Sequence, residues 1–232
     1  MTPAHGVSLR KMVSSILFPR YSSLIDRMNW SARWMETIRR SSDCPIFPSR
    51  EEMYRHVDAE YFSFADAGAR QPIDFFEFGV FEGRSLASWR ALNDHPESRF
   101  FGFDSFEGLP EEWNPKAPAG RYSANGKIPQ ADDPRVQFVV GWFQSSLPGF
   151  LASYEARNPL VIHNDSDLYS STLYCLTTLN ALITPGTLII FDEFYDPLHE
   201  YRALHDYSAA YMRKYDVVAA TREFHQAAVR IT

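Results

Sequence analysis

Short apolar runs recur along this chain, and most are followed at once by glycine or by an acidic residue. Ile73–Phe78 runs into Gly79, Phe100–Phe103 into Asp104, Leu160–His163 into Asn164-Asp165, and Leu188–Phe191 into Asp192-Glu193. Val136–Val140 runs into Gly141. Runs of four to six apolar residues are strand-length, and their apolarity on both faces suits strands buried between layers. Between them lie stretches with helical spacing: Ser85–Leu92, Phe150–Arg157, Ser171–Leu182 and Tyr201–Tyr215. Asp216–Ala220 and Ala227–Ile231 read as a closing strand pair. Alternating strands and helices predict an α/β fold, a mostly parallel sheet with helices on both faces. In such sheets ligands bind beyond the carboxyl ends of the strands. The residues that end these runs are therefore the ones to examine.

The stretch from Glu107 to Pro134 holds five prolines, Pro110, Pro115, Pro118, Pro129 and Pro134, and breaks the alternation. It is too Pro-rich for a regular element and too long for a plain connector, so it is expected to be a lid or binding loop. Trp113 and Tyr122 within it are aromatic candidates to stack on a ligand. The N-terminal part differs in charge. Residues 1–50 hold eight basic and three acidic residues, a charge of +5, which leaves −11 on the rest of a chain whose net charge is −6. Tyr21–Arg40 places Leu24, Met28, Met35 and Ile38 near helical spacing, with Trp30 and Trp34 a further pair. A helix is expected there. Residues 1–70 are read as an N-terminal helical segment, a lid or an oligomer arm, and 71–232 as the main domain. A basic face toward an anionic membrane is the competing use of that helix.

Charge and composition exclude some classes. A net charge of −6 argues against nucleic-acid binding by bulk electrostatics. Cys44 and Cys175 are too few for a disulfide scaffold and are expected as reduced thiols. No apolar run reaches the ~20 residues that span a bilayer, and the run Met12–Phe18 is short and broken by Ser14 and Ser15, unlike a signal peptide. A cytoplasmic protein without stable membrane insertion is expected.

The strand ends suggest chemistry. Gly79 and Gly83 allow a tight turn and a close approach of backbone to a ligand, in a G-x-x-x-G pattern that lacks the third glycine of the dinucleotide fingerprint. Asp104, 25 residues beyond Gly79, is placed to accept hydrogen bonds from ribose hydroxyls. Asp165, Asp192 and Glu193 end neighbouring strands, and like charges gathered at one point call for a cation. Oxygen ligands without cysteine suit Mg²⁺, Mn²⁺ or Ca²⁺. The alternative is that they, with Asp167, are helix caps and solvated carboxylates. His163 is read as a hydrogen-bonded core histidine, Cys175 as a small core residue, and His199 and His205 as groups of open direction near the cleft.

Glu77-Phe78-Gly79-Val80-Phe81-Glu82-Gly83-Arg84-Ser85 and Gly102-Phe103-Asp104-Ser105-Phe106-Glu107-Gly108-Leu109-Pro110 together resemble the macrocin O-methyltransferase family. Gly141-Trp142-Phe143, Asp165-Ser166-Asp167-Leu168-Tyr169 and Phe191-Asp192-Glu193 follow in the family's order, over about residues 74–195. The resemblance implies a class I methyltransferase sheet of seven strands, Rossmann-like, and S-adenosylmethionine-dependent, Mg²⁺-assisted methylation of a sugar hydroxyl in a glycosylated natural product. It implies that Glu77, Gly79, Gly83 and Ser85 line the methionine end of the cofactor. Asp104 and Ser105 would then lie by the ribose, and Gly141, Trp142 and Phe143 by the adenine. Asp165, Asp192 and Glu193 would hold the metal, and Asp167 would be the general base. Glu82, Arg84 and Ser166 depart from the family's usual residues and would alter the pocket without removing a ligand. Rival readings are a metal-independent methyltransferase, an NAD-binding oxidoreductase, which the missing glycine disfavours, and a non-catalytic cofactor-binding partner.

Overall fold

The computed structural model describes residues 9–63 and 70–232, with side chains from Ser23 onward. The side chains of the Met12–Phe18 run lie outside the described residues. A long helix, α1 (Leu9–Arg40), leads into a two-residue strand, β1 (Ile46–Phe47), and α2 (Arg50–Tyr61). The alternation then begins: β2 (Asp74–Phe78), α3 (Arg84–Leu92), β3 (Arg99–Asp104), β4 (Val136–Val140), α4 (Phe143–Leu151), β5 (Leu160–Asn164), α5 (Tyr169–Thr178), β6 (Leu188–Phe191), α6 (Glu200–Ala210), β7 (Tyr215–Thr221) and β8 (Ala227–Ile231). The strands form one sheet in the order β1-β7-β8-β6-β5-β2-β3-β4, with β8 antiparallel to β6 and β7 and the other pairings parallel. The sheet has eight strands rather than seven because β1, which pairs with β7, comes from ahead of the expected domain start.

Buried runs made the central strands. All five residues of β2 and of β5 are buried, as are the four of β6. One face packs Phe76, Phe78, Phe103, Ile162, Ile189 and Leu204 with their neighbours. The other packs Phe75, Trp89, Val161 and Ile190 against Met53, Tyr54 and Val57 of α2. The N-terminal segment thus takes part in the core: α2 closes one face, and α1 places the Trp34 indole N–H on the Phe194 carbonyl at 2.8 Å and Thr37 on the Tyr201 hydroxyl at 2.9 Å.

One helix is displaced from its expected span. Phe150–Arg157 was expected to be helical, but α4 runs Phe143–Leu151 and contains Pro148. The fully buried Leu147 and the Phe143 and Phe150 rings anchor it against β2 and β3. Residues 152–159 instead wrap the buried Asp74. The Tyr154 hydroxyl donates to that carboxylate at 2.6 Å and the Arg157 N–H at 3.2 Å. The Arg157 N–H is a backbone donor that a helix would need for itself.

The chain leaves β2 for β3 on one side and returns to β5 on the other, so β2 and β5 flank the topological switch point. This is where a doubly wound sheet opens a crevice at its carboxyl edge.

Candidate active site

The crevice is present. A cleft of about 300 Å³ is lined by Gly79, Asp104, Ser105, Gly141, Trp142, Phe143, Asp165, Asp167, Asp192 and Glu193, among others. Residues from five strand ends that are far apart in sequence thus share one wall.

Gly79 is required by the approach of two strands. Its φ is +90°, and a Cβ there would lie 1.8 Å from the Asp165 carbonyl oxygen. The turn after it is tied to β3 by Asp104. Oδ2 of Asp104 accepts the N–H groups of Val80 and Phe81, each at 2.8 Å, and Oδ1 accepts that of Phe106 at 2.7 Å. Asp104 therefore shapes the glycine turn as well as facing the cleft. Glu77, Gly83 and Ser85 lie behind the lining rather than in it. Glu77 is fully buried; its Oε1 accepts the Ser85 hydroxyl and lies 3.1 Å from Nδ1 of His163. His163 in turn meets the Tyr54 hydroxyl at 2.8 Å, as befits a core histidine.

Trp142 and Phe143 line the cleft. Phe81 and Tyr122, both exposed, also line it, with ring centroids 6.5 Å apart. Trp113 packs inward with Leu109, Ala117 and Leu168, edge-on to His199, and offers no open face comparable to that of Tyr122. His205 meets Arg33 of α1 at 3.2 Å, outside the cleft lining. Cys175 is buried in the core and Cys44 is half-buried; both are free.

Asp165, Asp167, Asp192 and Glu193 line the same cleft and feel one another's charge. Burial, then the Asp192 charge, pushes the Asp167 carboxyl up to about 7. Burial, then Asp192 and Asp167, pushes Glu193 up to about 8. Asp165 is raised well above the usual range by burial first and by Asp192 and Asp167 next. These groups are not spent as helix caps. The N-cap of α5 is Leu168 and that of α6 is His199, neither with a capping side-chain bond. Asp167 adopts φ 59°, a strained value for a residue with a side chain, and such strain gathers at functional sites. Among the described residues no three His, Cys, Asp or Glu side chains stand at metal-holding spacing. The donor chemistry still suits a hard dication: buried Asp192 Oδ1 and Glu193 Oε2 have no hydrogen-bond partner, and mutual repulsion raises their neighbours' proton affinity.

Glu200, the first residue of α6, escaped the sequence reading. It is fully buried. Oε1 accepts the Asn164 amide at 2.8 Å and the Ser166 N–H at 3.2 Å; Oε2 accepts the Glu193 N–H at 2.9 Å. One carboxylate thus clamps the loop after β5 to the loop after β6 and sets the positions of Asp165, Asp167, Asp192 and Glu193. Its sole sequence signal is an acidic residue in the first turn of a helix, which is common.

The likeness to known proteins agrees with this geometry. The family described as Macrocin-O-methyltransferase (TylF) matches residues 67–220. A tetracenomycin rhamnosyl 4'-O-methyltransferase of Streptomyces olivaceus is 33% identical, over 56% of this chain and 58% of that protein. A demethyldecarbamoylnovobiocin O-methyltransferase of Streptomyces niveus is 27% identical, over 60% of this chain and 62% of that one. The chain spans about three fifths of the length of these relatives. Among solved structures, CalS11, a calicheamicin methyltransferase, aligns with TM-score 0.57 at 20% identity, over 97% of this chain and 87% of that one. The O-methyltransferase NovP aligns with TM-score 0.55 at 22% identity, over 78% of each chain. The fold is that of the class I methyltransferases.

Proposed function

This chain belongs to the macrocin-O-methyltransferase family, and on that premise we propose that it transfers a methyl group from S-adenosylmethionine to a sugar hydroxyl of a glycosylated natural product, with Mg²⁺ assistance. The observation that carries this reading is that one cleft is lined both by Asp104 and Gly79 and by the four carboxylates Asp165, Asp167, Asp192 and Glu193. A relative named for methylation of a rhamnosyl group supports the acceptor class. The neighbour CmcI, described with Mg and SAM, aligns with TM-score 0.54 at 18% identity, over 79% of this chain and 72% of that one, and supports the fold this requires.

When bound, S-adenosylmethionine supplies an activated methyl group and Mg²⁺ a Lewis acid for the acceptor hydroxyl. Asp104 and Ser105 hold the ribose, while Trp142 and Phe143 flank the adenine. Glu77 and Ser85 act from behind the wall, stiffening the turn at the methionine end through their mutual hydrogen bond. Asp165, Asp192 and Glu193 hold the metal. Asp167 takes the acceptor's proton; a base near 7 is well matched to a transfer at neutral pH. Phe81 and Tyr122, exposed in the cleft lining, present aromatic faces to the sugar. Leu24, Ile25, Met28 and Met35, exposed along α1, are consistent with the lid or oligomer arm. No helix among the described residues is long and apolar enough to cross a membrane.

Calorimetry with S-adenosylhomocysteine, with Mg²⁺ and with EDTA, tests the reading. Saturable binding of the nucleoside and a separate Mg²⁺ isotherm are expected. A protein that binds no S-adenosylhomocysteine defeats the methyltransferase assignment; one that binds it but ignores Mg²⁺ leaves a metal-independent methyltransferase.

A further inference from the structure

Arg50 opens α2, ahead of the span that matches the family. Its guanidinium Nη1 lies 3.5 Å from Oδ1 of Asp192, the buried oxygen that has no hydrogen-bond partner. It also lies within the field of the Asp165 carboxylate. The placement is set by a rigid element. Ser49 caps α2 by accepting the Glu52 N–H at 3.3 Å. One turn beyond Arg50, the buried Tyr54 bonds His163 at 2.8 Å, two residues before Asp165. Met53 and Val57 anchor the same helix under the sheet. A fixed positive charge therefore stands against the carboxylates that the metal reading assigns as ligands, delivered by a helix from outside the strand-and-loop framework.

We propose that Arg50 is the resident counter-cation of this carboxylate cluster, balancing Asp192 when no dication is bound and competing with a divalent metal for that charge. Metal loading is thereby coupled to the seating of α2. This inference rests on the metal reading given above. A unit positive charge about 6 Å from a dication weakens its binding by about tenfold even at the dielectric constant of water.

Mn²⁺ binding, followed through the electron paramagnetic resonance signal of the free ion, tests it without turnover. Wild type, Arg50→Gln and Arg50→Lys are compared, each checked for folding by circular dichroism. Arg50→Gln is expected to bind Mn²⁺ about tenfold more tightly, and its metal-free form to melt lower, because Asp192 has lost its counter-charge. Arg50→Lys, which keeps the charge, is expected to stay near wild type. Equal or weaker Mn²⁺ binding in Arg50→Gln overturns the proposal. So does unchanged Mn²⁺ binding accompanied by weaker S-adenosylhomocysteine binding, which assigns Arg50 to the cofactor instead. If wild type itself binds no Mn²⁺, the metal reading has failed and the inference falls with it, a result distinct from equal binding by all three proteins.

Discussion

Replacing Glu200 with Gln changes one oxygen into an amide nitrogen inside a fully buried site. Three donors converge on the native carboxylate: the Asn164 amide and the N–H groups of Ser166 and Glu193. Only an acceptor on both arms satisfies them. If the Gln oxygen stays with Asn164 and Ser166, the new NH₂ faces the Glu193 N–H, donor against donor. A buried donor left without a partner costs about 1–3 kcal/mol. The opposing term is real. Burial above all, and then the charges of Asp167, Asp192 and Glu193, pushes the Glu200 carboxyl well above its usual range, so a neutral side chain escapes that penalty. We expect the lost acceptor to win, since one oxygen cannot serve two separate loops. The net cost should be about 2 kcal/mol, a Tm decrease of roughly 4–8 °C for a chain of this size. Urea and thermal denaturation in EDTA, read by circular dichroism, measure it. Glu200→Ala, which leaves all three donors unmatched, should cost more. If Glu200→Gln is as stable as wild type or more so, the desolvation penalty dominates and the clamp argument is wrong.

Gly79→Ala should be among the most damaging single changes. A Cβ 1.8 Å from the Asp165 carbonyl, at φ +90°, must push β2 and β5 apart, costing about 3 kcal/mol or more and S-adenosylhomocysteine binding with it; retention of both would disprove the close-approach reading. The metal-free protein should lose stability as pH rises from about 4 to about 8. Asp167 and Glu193 hold their protons in the native state up to about 7 and about 8 but release them near 4 when unfolded, so the unfolded chain binds fewer protons over that window. Melting in EDTA across pH 5–9 should show the fall and added Mg²⁺ should flatten it, while a pH-independent Tm counts against the burial of these groups. Asp167→Asn should leave metal and cofactor binding intact and slow transfer by about 10²–10⁴-fold, whereas Asp192→Ala should remove metal binding and activity together. Normal turnover by Asp167→Asn in single-turnover assays would assign the base elsewhere.

The residues legible in advance were those whose local sequence dictates their place. β2, β5 and β6 are short, continuous apolar runs, and such runs have nowhere to go but the middle of a layered sheet. Once they are parallel strands, Gly79, Asp104, Asp165 and Asp192 must emerge at one edge, because each ends a strand. The family motifs follow the same edge. Helix α4 was misplaced because Pro148 reads locally as a break, while the packing of Phe143, Leu147 and Phe150 on β2 and β3 is non-local and outweighs it. The eighth strand was missed because two residues carry no periodicity; β1 exists through its register with β7, about 170 positions away.

Sequence alone thus determined the layer architecture, the edge at which the cleft opens and which carboxylates line it. Those follow from hydrophobic periodicity and from the geometry of strand ends, both local properties. The tertiary structure decided how those carboxylates are held. Glu200 reaches back from α6 to the backbone of two loops, and Arg50 comes in from α2 to face Asp192. Neither side chain differs in its local sequence from an ordinary charged residue in the first turn of a helix. What distinguishes them is the convergence of partners from distant segments, together with full burial for Glu200, and these arise only when the chain has closed on itself.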